Sequence, residues 1–284
     1  MNGVAIVAGY ALRESLRRRV FSVVVVLSAV FLALYGWGAA IAFDEASDLA
    51  STTSEVDAKV IVGSTVFGLA MFSTLFLGSV LAVFLTLSAV RGDADRGLLQ
   101  PLVVRPVGRT QLLAGRLLAA AAVCAGYVGA VYLVAMLITG AVGGWWPDRL
   151  LGPGLGLAGG VVVIAALALL GSVYLSATAN GIAVFMIYGA GLAAGLLGEI
   201  GEALSSQTLE QIATVTSWLL PFEALYRAAL AGLTADAGGF TDLAVELGPF
   251  GGAERSGPLL WPWVALYVAL LALAARTGFA RRDL

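Results

Sequence analysis

Long apolar runs separated by short polar stretches form the main pattern of this chain. The longest uncharged run, from Leu150 to Gly198, would make a single helix about 74 Å long. That is more than twice the roughly 30 Å hydrocarbon core of a bilayer. It is divided into spans 152–178 and 182–198 at Thr178-Ala179-Asn180-Gly181, because Asn and Gly commonly end helices. Four other uncharged runs are each long enough to cross a membrane as one helix, and they cover residues 20–43, 60–90, 117–142 and 258–275.

The composition agrees with this pattern. Hydrophobic residues make up 60% of the 284 residues and charged residues 12%, and the mean hydropathy is +0.95. A soluble domain of this size could not bury so much apolar surface. We therefore predict an all-α integral membrane protein with six transmembrane helices. The absence of His and the single Cys124 exclude a His/Cys metal site or a disulfide framework built from one chain, and the net charge of -2 gives no indication of a nucleic-acid partner.

Basic residues lie mainly on one side of these spans. This asymmetry predicts that both termini are cytoplasmic, since cytoplasmic loops carry the excess of Lys and Arg. The bias toward Arg, with Lys59 the only lysine, favours a high-GC bacterial genome and hence a multi-pass protein of the bacterial cytoplasmic membrane. The inner group is Arg13, Arg17, Arg18, Arg19, Arg91, Arg96, Arg105, Arg109, Arg116, Arg276, Arg281 and Arg282, and the outer group is Lys59, Arg149, Arg227 and Arg255.

Two further segments are predicted to lie at the membrane surface. Residues 1–19 interleave apolar and charged positions, which is typical of an interfacial helix. The basic residues at its end are expected to anchor it at the anionic inner surface. Residues 199–257 are rich in acidic side chains and are therefore predicted to lie outside. Within this segment, the uncharged run 211–222 is too short to span the membrane and contains Pro221. We therefore predict a pair of interfacial or re-entrant helices there. The anchoring residues are Arg13, Arg17, Arg18 and Arg19.

The segment between the second and third spans, residues 91–116, carries the most informative order of residues. Asp93 and Asp95 come first, an apolar stretch 98–104 follows, and Arg105-Pro106 ends it. Acidic residues suit a helix N-terminus, and the residue before a proline leaves the helical region, so a short helix is predicted to end near Arg105. Pro101 is expected to bend or split that helix.

This order resembles the cytoplasmic coupling segment of the type-2 ABC permeases, the membrane subunits of ATP-driven exporters. Two positions depart from the family pattern: Leu98 stands where a small hydroxyl residue is common, and Pro101 interrupts a leucine run. A shortened docking helix is therefore expected. The resemblance further implies an N-terminal elbow helix at residues 1–19 and helices outside the membrane between the last two spans. The matching residues are Asp93, Asp95, Arg96, Gly97, Arg105, Pro106 and Arg109.

The same resemblance implies the partners. The segment would dock on a cytoplasmic ABC ATPase present in two copies, which would hold ATP and Mg²⁺, so this chain needs no cofactor of its own. A second permease subunit, identical or different, would complete the transporter, and an extracytoplasmic accessory protein is a further candidate. The residues agree with a chain that is not an enzyme, because the only lysine, Lys59, follows Ala58 and cannot belong to a P-loop.

Two questions stay open at this point. The uncharged spans favour export of a hydrophobic, amphipathic or lipid-like substrate, although such permeases also move peptides and glycans. The alternative to a transporter subunit is an energy-independent scaffold or channel that anchors a cytoplasmic partner. Small residues of the second and fifth spans could line a path or a dimer seam, or could simply allow close helix packing. These residues are Ser64, Gly68, Ser79, Thr86, Gly191 and Gly195.

Overall fold

The computed structural model describes residues 3–49, 55–87, 108–233 and 257–280. Helices account for nearly all of these residues, and no strand occurs within the described ranges. The helices are α1 (Gly3–Arg17), α2 (Arg19–Leu49), α3 (Glu55–Thr86), α4 (Arg109–Gly143), α5 (Gly152–Tyr174), α6 (Ala177–Ala203), α7 (Gln207–Leu219), α8 (Pro221–Ala231) and α9 (Leu260–Ala280).

Six of the helices, α2 to α6 and α9, are long and apolar enough to cross a membrane. The predicted class, an all-α integral membrane protein with six spans, is confirmed. The helices begin and end at other residues than the predicted spans: α4, for example, begins at Arg109 and not near residue 117, and α6 continues through Glu199 to Ala203. Helical hydrogen bonding continues into polar residues at the span ends, where hydropathy alone finds no helix.

The connection between the fourth and fifth spans lies at Leu175-Ser176, because α5 ends at Tyr174 and α6 begins at Ala177. This corrects the predicted break at residues 178–181. The Ser176 hydroxyl accepts a 3.5 Å hydrogen bond from the backbone N–H of Ala179, as an N-cap residue does. Asn180 is fully buried, and its Nδ2 donates to the carbonyl oxygen of Ala168 at 2.8 Å. Asn180 therefore joins the two helices at their turn and does not end either of them.

Helix α5 occupies the centre of the fold and packs against α3, α4, α6, α8 and α9. Helix α8, although short, lies between α3, α5 and α6. Two glycines of α5 permit this approach: a Cβ atom at Gly156 would lie 3.0 Å from the carbonyl oxygen of Leu225, and one at Gly160 would lie 3.3 Å from that of Phe222. The α7–α8 pair thus stands where a helix pair was predicted, and α8 is packed among spanning helices.

The C-terminal end of α4 turns sharply into a pair of tryptophans. Gly144 has a φ of +63°, the left-handed conformation that glycine adopts without steric cost, and its N–H donates to the carbonyl oxygen of Gly140. Trp145 is then buried against Gly63 of α3, where a Cβ atom would lie 2.5 Å from the indole ring. The turn therefore fixes α4 to α3 at the outer side of the predicted topology.

Candidate functional site

The predicted coupling residues Asp93, Asp95, Arg96, Gly97, Arg105 and Pro106 lie outside the described residues. The structure describes both flanks of their segment. Helix α3 ends at Thr86, and α4 begins at Arg109, directly after the exposed and extended Gly108. Gly108 is thus the one described residue of the predicted coupling segment that precedes α4.

The N-terminal helix α1 packs along the first turns of α4. At Gly115 the two backbones come so close that a Cβ atom would lie 2.6 Å from Cγ1 of Val7 and 3.1 Å from the backbone nitrogen of Ala8. Small residues allow this kind of close helix approach. The first turns of α4, which directly follow residues 91–108, are thus packed tightly against the N-terminal helix α1.

The predicted anchoring arginines lie along α1 and the start of α2. Arg13, Arg17 and Arg19 are exposed. Arg18 is partly exposed, and its Nη2 donates to Oε1 of Glu14 at 2.7 Å. An exposed ion pair at this spacing contributes only a few tenths of a kcal/mol, roughly 0.3–0.5 kcal/mol. The arginines are therefore accessible to a membrane surface, and Arg18 is at the same time paired with Glu14.

Two buried hydroxyl pairs join α2 to α4. The hydroxyl groups of Ser28 and Tyr127 are hydrogen-bonded to each other, and so are those of Tyr35 and Thr139. All four side chains are buried. Together with the packing of α1 on α4, these bonds connect the first two helices of the chain to α4.

The small residues of the predicted seam make contacts within one chain. Ser64, Ser79 and Thr86 are buried, and their hydroxyls donate to backbone carbonyls of their own helix. Three glycines of the set meet around α8: Gly68 faces Leu230, Gly191 faces the Phe222 ring, and Gly195 faces the Glu223 carboxylate. Within the chain, therefore, these residues allow close helix packing, and a seam between protomers stays a prediction.

Sequence reasoning missed a polar cluster between α6 and α8. Glu223, placed outside by its charge, is 4% exposed, and its Oε1 lies 3.6 Å from Nε of Arg227. Glu199 of α6 interacts electrostatically with Arg227. Burial raises the pKa of the Tyr226 phenol, with smaller contributions from Tyr188 and Glu199, so this hydroxyl keeps its proton in the neutral range. The spacing of Glu223 and Arg227, four residues apart before an apolar stretch, was the available signal.

Comparison with protein families identifies the family of this chain. The family model described as "ABC-2 family transporter protein" matches residues 5–284. The chain belongs to the ABC-2 transporter family. It is thus a multi-pass membrane protein of the kind that forms the permease subunit of an ABC transporter, and membership implies an ABC ATPase subunit as its partner. No curated protein sequence matches the chain.

Membrane subunits of the ABC-2 family are generally not catalytic themselves. Across the described ranges, no three His, Cys, Asp or Glu side chains are grouped so as to hold a metal ion. The only lysine, Lys59, is exposed near the start of α3.

A groove of about 610 Å³ opens in this ABC-2 protein between the end of α3 and the start of α6. The predicted topology places it at the cytoplasmic side. Its walls are almost entirely apolar, with Thr178 contributing the one hydroxyl side chain of the lining. Leu87, the described residue directly after α3, forms part of the wall, so the groove lies close to the point where the predicted coupling segment begins. The other lining residues are Val83, Phe84, Ala177, Gly181, Ile182, Phe185 and Met186.

Proposed function

We propose that the chain is the permease subunit of an ATP-driven exporter, that it forms the translocation path, and that residues 91–116 are its contact with a separate ATPase subunit. Family membership supports the general assignment. The order of Asp93, Asp95, Arg96 and the Arg105-Pro106 pair supports the contact. In this proposal the acids and arginines meet complementary charges on the ATPase, and the apolar stretch 98–104 enters its groove.

The observation that carries the proposal is the junction of α1 with α4 at Gly115 and Val7. A displacement of residues 91–108 enters α4 at Arg109 and reaches α1 through that junction. It reaches α2 through the buried Ser28–Tyr127 and Tyr35–Thr139 pairs. Close-packed helices transmit such displacements because the interior has little free volume. A single contact on the ATPase would thus reorient α1, α2 and α4 together.

The energy source and the assembly follow from the same proposal. Two ATPase copies would bind ATP and Mg²⁺ and approach each other on binding, and a second permease subunit, identical or different, would complete the path. The distribution of Arg residues supports a bacterial cytoplasmic membrane with both termini inside. An accessory extracytoplasmic protein would meet the outer face.

The apolar character of the spans supports a hydrophobic, amphipathic or lipid-like substrate. Helices of this kind offer few fixed charges to a hydrophilic solute. The apolar groove at the ends of α3 and α6 is a place where such a molecule could enter from the inner leaflet. Export, in this proposal, moves it toward the outer side.

The contact is tested by reversing two charges. We expect the double variant Asp93→Arg, Asp95→Arg to insert normally and to lose stimulation of ATPase activity, because the new arginines would face the basic partner groups that the acids are proposed to meet. The matched control is Asp44→Arg, Glu45→Arg, which makes the same charge change at exposed positions near the far end of α2. ATPase activity and transport are measured in proteoliposomes containing both subunits.

If both double variants retain full stimulation and transport, residues 91–116 are not the contact. If no ATPase with Walker motifs copurifies with the wild-type chain and transport continues without ATP, the chain is instead an energy-independent channel or scaffold.

A further inference from the structure

The faces of α6 and α8 that meet each other carry both acidic and aromatic side chains. On α6, Tyr188 and Glu199 lie on the same stripe as the two glycines at positions 191 and 195, at steps of three and four residues. On α8, Phe222, Glu223, Tyr226 and Arg227 repeat at the same steps. Glu223 lies directly over α6, since a Cβ atom at Gly195 would be 2.5 Å from its Oε1. We call these six side chains, Tyr188, Glu199, Phe222, Glu223, Tyr226 and Arg227, the α6–α8 seam.

Aromatic rings surround the inner part of the seam. The rings of Tyr188 and Phe222 are stacked with their centres 5.6 Å apart, and Phe76 of α3 lies 6.2 Å from Tyr188. Phe72 of α3 lies 6.3 Å from Tyr226. Ring faces carry partial negative charge and attract cations. The rings therefore form an electronegative wall between three helices.

Three polar atoms of the seam are buried without a hydrogen-bond partner among the described residues. They are the hydroxyls of Tyr188 and Tyr226 and Oε1 of Glu199. Tyr188 is 5% exposed and Tyr226 1%. A buried polar atom that lacks a partner is costly and is rare in native proteins. The two hydroxyls interact electrostatically with each other, and Tyr226 also with Glu199, so all three atoms lie in one region.

Within the six side chains of the seam, two carboxylates, Glu199 and Glu223, lie close to one guanidinium, that of Arg227. Glu202 adds a further negative charge near Glu199. In a region partly shielded from water, an excess of negative charge is destabilising unless a cation compensates it. A carboxylate carries negative charge and only accepts hydrogen bonds, so Glu199 favours a cationic over an anionic ligand, whereas the neutral phenols can accept or donate.

We propose that the α6–α8 seam binds the cationic group of an amphipathic organic molecule, with Glu199 and the phenols of Tyr188 and Tyr226 as its contacts. The proposal rests on the proposed function and narrows its substrate class to cationic amphiphiles. The cation lies beside the Glu199 carboxylate and the two phenol hydroxyls, and its apolar part extends along the spans. Tyr188 and Phe222 are stacked in this structure, so the cation enters when α8 moves away from α6.

The test uses two ions of nearly the same shape and opposite charge, tetraphenylphosphonium and tetraphenylborate. We expect the purified wild-type chain in uncharged detergent to bind the phosphonium ion at least ten times more tightly than the borate. Tyr226→Phe removes a proposed contact, the phenol hydroxyl, while it keeps the ring, and should also weaken phosphonium binding. Glu199→Gln, which removes one negative charge, should weaken phosphonium binding about tenfold or more. Glu210→Gln, at an exposed position of α7, makes the same chemical change and should leave binding unaltered.

Equal affinities for the two ions, or phosphonium binding that Glu199→Gln leaves unchanged, would overturn the proposal. Binding of neither ion would mean that only water satisfies the buried hydroxyls, and would also overturn it. The wild-type ion preference needs no variant, so a misfolded mutant cannot obscure the result. Because binding is measured without the ATPase, failure here is distinct from failure of the ATPase contact at residues 91–116.

Discussion

Gly115 is the position where a single methyl group would matter most for the junction of α1 and α4. Gly115→Ala would place a Cβ atom 2.6 Å from Cγ1 of Val7, so the helices must separate. The usual gain of roughly 0.5–1 kcal/mol from replacing a helical glycine should be exceeded by an overpacking cost of about 1–3 kcal/mol. We expect a lower midpoint of thermal unfolding in detergent and faster proteolysis of α1.

Gly126 provides the control for this change within the same helix. It is exposed, and no heavy atom of the described residues lies within 4 Å of a Cβ atom built there. Gly126→Ala should therefore leave the midpoint unchanged or raise it. Equal shifts in both variants would show that α1 does not depend on the close approach at Gly115.

The burial of Glu223 shows what cannot be predicted from a residue alone. Its charge indicated an outer, solvated position, yet it packs over Gly195 and is almost fully buried. That outcome depends on α8 folding back between α3, α5 and α6, which no local pattern specifies. The spacing to Arg227 and the small residue at position 195 were both present in the sequence, but they indicate burial only once the two helices are known to meet.

Elements were predicted more successfully than their junctions. The number of spans follows from the length of apolar runs against bilayer thickness, and this physical constraint leaves few alternatives. The α5–α6 connection was placed too late because Asn180 and Gly181 were taken as helix-ending residues. Buried inside the helix pair, Asn180 bonds to Ala168, and a tertiary contact overrides its local preference for turns.

The orientation of the helices is tested by cysteine labelling in a Cys124→Ser background. We expect Gly108→Cys to react with a membrane-impermeant maleimide only after permeabilisation, because it lies at the start of α4 beside the Arg-rich segment. Asp48→Cys and Ser205→Cys should react in intact cells. Ser205 is exposed at the turn between α6 and α7, so it reports on the second half of the chain independently.

Labelling of position 108 from outside would invert the topology, whereas opposite results for positions 48 and 205 would mean a different number of crossings between them. The buried Cys124 is replaced so that the background reaction is zero in either case.

At the scale of the whole molecule, the spans differ in how much of their surface the chain itself covers. Helix α5 is enclosed by five other helices, while α2 and α9 expose most of their apolar side chains. Hydropathy could not distinguish these roles, since the peripheral α2 is as apolar as the central α5. The order of neighbours arises from side-chain fit, such as Gly156 against Leu225, which is visible only when both helices are in place.

This difference in exposure determines which positions can meet a second protomer. In the proposed dimer, we expect disulfide crosslinking between protomers for a Cys on an exposed span face, Leu34→Cys of α2 or Leu266→Cys of α9. Ser64→Cys and Ser79→Cys should not crosslink, because those side chains are 2% and 1% exposed within one chain. Crosslinks are detected on non-reducing gels of oxidised membranes.

Efficient crosslinking at positions 64 and 79, with none at 34 or 266, would instead support the seam predicted from the small residues of the second and fifth spans. No crosslinking at any position, together with a monomer that transports at the full rate, would exclude a dimer.

The junction at Gly115 also bears on how the protein is made. Helix α1 is synthesised before its main packing partner, α4, which follows roughly a hundred residues later. The hydrogen bonds of Ser28 and Tyr35 to Tyr127 and Thr139 likewise need α4. Until α4 is made, α1 has only α2 and the membrane surface beside it. The packing of α1 and both hydroxyl pairs therefore form only once α4 enters the bilayer.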